Sequence, residues 1–189
     1  MPIAWIVGGL GLWVFLMSKS EASEETNLIP NKYDSLFQKY ASQYGLDWKF
    51  LKTIAENESS NGKDPRVARG ILIPGDIRGS MSSDGKSWGL MQVTLTTGRD
   101  FDKNISEVKL NEPEYSIRIA SMFISSLSKQ FRGNFRDMAM AYNQGAGNQK
   151  RFIELEKSGL LKNSDFPAGR EYWNRFQRNY KRLFGGNIA

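Results

Sequence analysis

Residues 47–59 read DWKFLKTIAENES, and the phase of the apolar side chains in this stretch decides how the rest of the chain is read. Asp47 suits the N-cap of a helix, and Phe50, Leu51, Ile54 and Ala55 then form its apolar stripe. Glu58 lies four residues after Ile54 and seven after Leu51, so it continues that stripe. Glu56 is turned about 200° from Ile54 and is expected to face water. A carboxylate on the buried side of a helix near its end has its charged form disfavoured by desolvation and by the negative end of the helix dipole. The pKa of Glu58 is therefore expected to rise, the condition for a general acid still protonated near neutral pH. For a single inward Glu the plainer reading, an ion pair with a Lys or Arg, is the stronger one.

Working outward, the helical period recurs on both sides. Tyr33, Leu36, Phe37, Tyr40, Ala41 and Tyr44 form a stripe that stops at Gly45. After residue 88, Asn111, Glu112 and Pro113 open a long helix carrying Tyr115, Ile119, Phe123, Leu127 and Phe131 at four-residue steps before Gly133. Asn134 caps another, with Phe135, Met138, Ala139 and Tyr142, that runs to Gly145. A short one holds Phe152, Ile153 and Leu155 and stops near Gly159. The last starts near Pro167 and carries Tyr172, Trp173, Phe176, Tyr180, Leu183 and Phe184 up to Gly185. Residues 63–88, rich in Gly, Pro, Ser and Asp, break the pattern and read as a functional loop or a small hairpin, with Ile71, Leu72 and Ile73 as one short strand. The sum is a mainly α domain of about 155 residues.

The chain has 189 residues, 40% hydrophobic and 24% charged, the composition of a folded globular protein. It contains no Cys and no His, which excludes Cys/His zinc sites, disulfides, thiol nucleophiles and Ser-His-Asp triads. Chemistry is left to carboxylates, hydroxyls, amides, Lys and Arg. Net charge is +6, and residues 31–189, with 25 basic and 17 acidic side chains, carry +8. Such a surface favours an anionic partner: nucleic acid, anionic lipid or a carboxylate-bearing wall polymer. In the last helix Arg175, Arg178, Lys181 and Arg182 alternate with aromatics. Aromatics at helical spacing read as core and no groove-reading motif accompanies them, so a nucleic-acid partner is not expected.

Met1 to Met17 hold no charge, and as a helix would span roughly 26 Å of a ~30 Å hydrocarbon core. We read residues 1–17 as a membrane anchor with Trp5 and Trp13 near its ends. A cleaved signal with Ser20-Glu21-Ala22 as its site, or an apolar segment seated on a partner protein, are the competing readings. Residues 18–30 are polar, end at Pro30 and form a linker, with residues 31–189 as the folded domain.

Three motifs recur in order: Glu58-Ser59, then Gly89-Leu90-Met91-Gln92, then Ala141-Tyr142-Asn143-Gln144-Gly145. In order and spacing this set resembles the lytic transglycosylases of the lysozyme-like superfamily, over about residues 31–184. Thr97-Gly98-Arg99-Asp100 is similar to the stretch after Gly-Leu-Met-Gln in some membrane-bound members, and Arg170-Glu171-Tyr172 resembles the Tyr motif that closes the family's site. The 29 residues between Ser59 and Gly89 exceed the family's usual connection, and the family's substrate-contacting Ser maps to Ser83.

The resemblance implies a lysozyme-like helical domain that cleaves the β-1,4 bond between N-acetylmuramic acid and N-acetylglucosamine in peptidoglycan, with a 1,6-anhydro product. Glu58 would be the catalytic residue, and Ser59, Ser83, Met91, Gln92, Tyr142, Asn143 and Tyr172 the substrate-binding ones. No metal or cofactor is implied. Amides suit N-acetyl groups, tyrosines suit Glu58 or the sugar, and Met91 suits an apolar wall, although core packing explains Met91 and Tyr142 about as well. The expected partners are peptidoglycan strands, a membrane through residues 1–17, and virion or secretion-apparatus proteins. The expected location is the periplasmic side of an envelope, or a phage virion. A hydrolytic muramidase using Asp76 or Asp84 as second carboxylate, and an inert glycan-binding component, are the alternatives. The geometric expectation is that Glu58 lies within hydrogen-bonding reach of Gln92 or a tyrosine.

Overall fold

The computed structural model describes residues 31–63, 87–186 and 188, and its first helix, α1, spans Asp34–Tyr44. The segment 1–17, the linker 18–30, the strand at 71–73 and residues Asp76, Ser83 and Asp84 lie outside the described residues. Helix α1 closes on Gly45 at φ 66°, whose N–H returns to the Ala41 carbonyl. In α2 (Trp48–Ser59), Asp47 caps as expected, accepting the Lys49 N–H at 2.7 Å.

A two-stranded hairpin follows, β1 (Ser87–Trp88) and β2 (Val93–Thr94), antiparallel with Ser87 opposite Thr94 and Trp88 opposite Val93. Two short helices come next, α3 (Leu95–Arg99), capped by Thr94, and α4 (Glu107–Leu110), capped by Ser106. The remaining helices are α5 (Pro113–Phe131), α6 (Phe135–Gln144), α7 (Ala146–Lys157) and α8 (Pro167–Phe184). Asn134 caps α6 by accepting the Asp137 N–H at 3.0 Å, as its sequence position predicts.

The packing is helix on helix. Helix α5 lies against α1 and α6, and α8 lies against α6 and α2. Phe37, Leu51, Ile54, Ile117, Ala120, Ile124 and Phe176 are buried together. The Phe50 ring ties three helices, with Phe135 of α6 at 4.8 Å and Phe176 of α8 at 5.0 Å between centroids. Such ring pairs contribute about 0.5–1.5 kcal/mol each beyond the area they bury. Lys52 is also fully buried, and its ammonium lies 2.8 Å from Asp34, so α1 and α2 are joined by an ion pair as well as by apolar contact.

Three expectations are corrected. Of the α5 run, Ile119, Leu127 and Phe131 are in the core as expected, but Tyr115 and Phe123 are only half-buried, and Ile117, Ala120 and Ile124 complete the buried face. At 100° per residue, four-residue steps drift about 40° each, so that run winds around the helix. The same helix ends on Arg132 in the left-handed region (φ 54°), one residue before the expected Gly133. Glu56 does not simply face water, for it bonds to Arg182 of α8 and accepts from Asn61 Nδ2. Among the described residues no helix is long and apolar enough to cross a membrane.

Candidate active site

Glu58 sits in the last turn of α2, half-buried, where the helix ends on Ser60 in the left-handed conformation. The Tyr172 hydroxyl of α8 donates a 2.6 Å hydrogen bond to its Oε1. Tyr172 is placed by an amide relay: the neighbour of Glu58, Asn57, donates through Nδ2 to the Tyr172 backbone carbonyl at 3.3 Å and accepts from Asn179 Nδ2 at 2.6 Å. Asn57 is buried, so the amide on one side of Glu58 aligns the helix that carries its hydroxyl donor. Burial first, and the charge of Glu58 second, push both the Tyr172 and the Tyr142 hydroxyl well above their ordinary value. Both are neutral donors throughout the physiological range.

Residues 89–92 form the turn between β1 and β2. Gly89 stands at φ 73°, and a Cβ there would lie 1.8 Å from the Leu110 carbonyl oxygen, so the close approach of this turn to α4 requires glycine. Gln92 closes the turn at φ 48°, with its backbone N–H and its Nε2 both directed to the Gly89 carbonyl, at 3.2 and 2.9 Å. A non-glycine residue in that region is held by its surroundings. The Gln92 Oε1 is buried with no hydrogen-bond partner among the described residues.

Three helices clamp this turn by hydroxyl groups. Ser59 of α2 donates to the Leu90 carbonyl at 2.7 Å, Ser116 of α5 accepts the Met91 N–H at 3.0 Å, and Tyr142 of α6 donates to the Met91 carbonyl at 2.7 Å. The motifs separated in sequence are thus one hydrogen-bonded unit beside Glu58.

This geometry redistributes the expected roles. Ser59, expected among the substrate contacts, is fully buried and committed to backbone, so it positions the turn. Met91 is fully buried in the core rather than forming an exposed wall. Tyr142 bonds the turn through its hydroxyl, and its proximity to Glu58 is electrostatic. Asn143 is exposed at the end of α6, and Ser83 lies outside the described residues. Of the expected residues, the structure brings Tyr172 into hydrogen-bonding contact with Glu58. Asn57, Ser116 and Asn179 were not singled out in the sequence. Asn57 is adjacent to Glu58, but nothing local says that its amide faces another helix.

The arrangement presents a carboxyl group with one oxygen oriented by a neutral phenol, next to a rigid turn that offers an amide oxygen. It is suited to give and take one proton at a fixed point.

Comparison with known proteins agrees. A family model described as the transglycosylase SLT domain matches residues 35–164. Peptidoglycan transglycosylase gp16 of Escherichia phage T7 is 31% identical over 123 residues, which is 63% of this chain and 8% of that protein. An inactive mutant of the lytic transglycosylase Slt from Pseudomonas aeruginosa, in which a glutamate is replaced by glutamine, superposes with a TM-score of 0.57 at 18% identity. That match covers 82% of this chain and 25% of the other, so the likeness is one of fold. The chain therefore spans only a small part of these relatives, and the match to the family model ends before α8, the helix that supplies Tyr172. Since the family model takes in α2, the clamped turn and α6 within a helical frame shared with a solved transglycosylase, the chain belongs to the transglycosylase SLT domain family.

Proposed function

We propose that this domain is a peptidoglycan lytic transglycosylase with Glu58 as its single acid and base. The observation that carries the reading is the Tyr172–Glu58 hydrogen bond at the end of α2. With Oε1 accepting from Tyr172, the acidic proton resides on Oε2. Glu58 gives it to the bridging oxygen of the β-1,4 bond, the bond from C1 of N-acetylmuramic acid breaks, and positive charge builds on that ring, assisted by its N-acetyl oxygen. The Glu58 carboxylate then takes the proton of the C6 hydroxyl as that oxygen closes on C1. A 1,6-anhydro ring results, Glu58 is protonated again, and water is not consumed. Tyr172 stabilises the carboxylate stage, and the unpartnered Gln92 oxygen supports a role in accepting an N-acetyl N–H.

In this reading residues 31–189 form the catalytic domain, 18–30 the tether, and the uncharged stretch 1–17 a membrane anchor. Similarity to a phage peptidoglycan transglycosylase favours a virion component that opens the wall locally over a bacterial envelope apparatus. The +8 of residues 31–189 suits an anionic wall.

The test is digestion of purified walls with wild type and Glu58→Gln, followed by mass analysis of the sugars. Wild type should release ends one water lighter than reducing muramic acid, and Glu58→Gln should release none. Reducing ends from the wild type would convert the reading to a hydrolytic muramidase. Equal clearing by both proteins, or none by either, would remove Glu58 from the chemistry.

A further inference from the structure

On α8, residues 172, 175, 179 and 182 recur at three- and four-residue steps and share one face of the helix. Three of them hydrogen-bond to α2: Tyr172 to Glu58, Asn179 to Asn57 and Arg182 to Glu56. Arg175 is in the same stripe and makes no hydrogen bond or ion pair among the described residues. Its guanidinium carbon lies 5.3 Å from the centre of the Tyr172 ring, and its Nε is buried without an acceptor.

A guanidinium is a permanent cation with five donors in a planar fork, and a buried N–H without a partner is costly. Here the fork is packed on the ring whose hydroxyl holds Glu58, about 4.5 Å along the helix from Tyr172. A charged donor gains most from a charged acceptor, and a flat fork is matched by a carboxylate. The ring it packs on carries the hydroxyl that holds Glu58, so an anion bound there is a substituent of the sugar under attack.

We propose that Arg175 is the binding site for a carboxylate of the wall polymer, carried by the stem peptide of the N-acetylmuramic acid at the scissile bond. This rests on the reading of Glu58 as the site of cleavage. The carboxylate bonds the Arg175 fork and fixes the muramic sugar with its bridging oxygen toward Glu58. Neutral glycans lack that anchor.

The experiment measures binding, so that it does not depend on turnover. Glu58→Gln and the double variant Glu58→Gln/Arg175→Gln are sedimented with intact walls and with walls whose carboxylates are amidated, at about 0.15 M salt to screen long-range attraction. The single variant should lose affinity on amidation by a factor on the order of ten more than the double variant, the size of one charge-assisted hydrogen bond. Equal sensitivity of the two proteins, or equal binding to intact walls, overturns the proposal. Arg175→Lys keeps the charge and loses the fork, and should fall between them, which keeps the test decisive if Arg175→Gln does not fold by circular dichroism. Walls stripped of peptides by an amidase, which frees the lactyl carboxylate in the same step, test the peptide as the source. Loss of the difference between the two proteins assigns the stem peptide, and a retained difference overturns that assignment. Should the Glu58→Gln digestion fail while this coupling holds, the carboxylate site stands and the catalytic assignment alone falls.

Discussion

The Tyr172 hydroxyl and Glu58 Oε1 meet at 2.6 Å across 114 positions of sequence. The bond orients one carboxylate oxygen and supports the charge that forms once the proton has left. Replacing Tyr172 by Phe keeps the ring in its buried place and deletes only this donor. The kcat for anhydro-sugar release is expected to drop about 10- to 100-fold, the value of one hydrogen bond to a charged group. Initial rates on purified walls give the answer, and an unchanged kcat would assign Tyr172 to packing alone.

Alkaline pH should reveal the same pair through stability. Tyr172 and Tyr142 have folded values raised well above the ordinary 10.0, by burial first and by Glu58 second. A raised value means that the unfolded chain releases these protons more readily. The stability is thus full below about pH 10 and is lost as pH rises toward the folded values. Urea unfolding at stepped pH between 9 and 11 should show Tyr172→Phe losing less stability than wild type over this interval. Parallel losses would mean that Tyr172 ionises as if exposed.

Ser59 and Ser116 hold the turn at residues 90 and 91 from opposite sides. Ser59→Ala leaves the Leu90 carbonyl buried without that donor, and Ser116→Ala leaves the Met91 N–H without its acceptor. Each should cost about 1–3 kcal/mol in denaturant unfolding. Activity should fall as well, because Gln92 rides on that turn. A variant with wild-type stability would show that water replaces the hydroxyl.

Gly89 answers to two constraints, a φ of 73° and a Leu110 carbonyl oxygen where a Cβ would go. The blocking atom is backbone, so it cannot swing aside. Gly89→Ala should destabilise the domain by more than about 2 kcal/mol, and Gly133→Ala, also at φ 73° but with open space around it, by less. Thermal unfolding of both variants checks the order.

Much of the fold was legible because its determinants are local. The caps at Asp47 and Asn134, the Gly45 and Gly185 stops and the phase of α2 follow from neighbouring residues, and the structure bears them out. The small elements around residues 87–110 were not legible, since two-residue strands and helices of four or five residues carry no period. The face of α5 was legible in part: Ile119, Leu127 and Phe131 reach the core, while Tyr115 and Phe123 do not, because the 3.6-residue period rotates a run of four-residue steps.

What the sequence determined by itself is a set of phased helices, a lone carboxylate at the end of one, and an order of motifs. These are short-range properties of capping, period and composition. Only tertiary structure decided that Glu56 would take an arginine and Glu58 a tyrosine, that Ser59 would face a carbonyl, and that Arg175 would be left beside the Tyr172 ring with a buried donor and no acceptor among the described residues. The reason is physical: the register of α8 on α2 is set by Phe50, Phe176 and the buried Asn57–Asn179 pair, contacts between residues more than 120 positions apart. A shift of one residue along that seam would give every polar group on it a different partner.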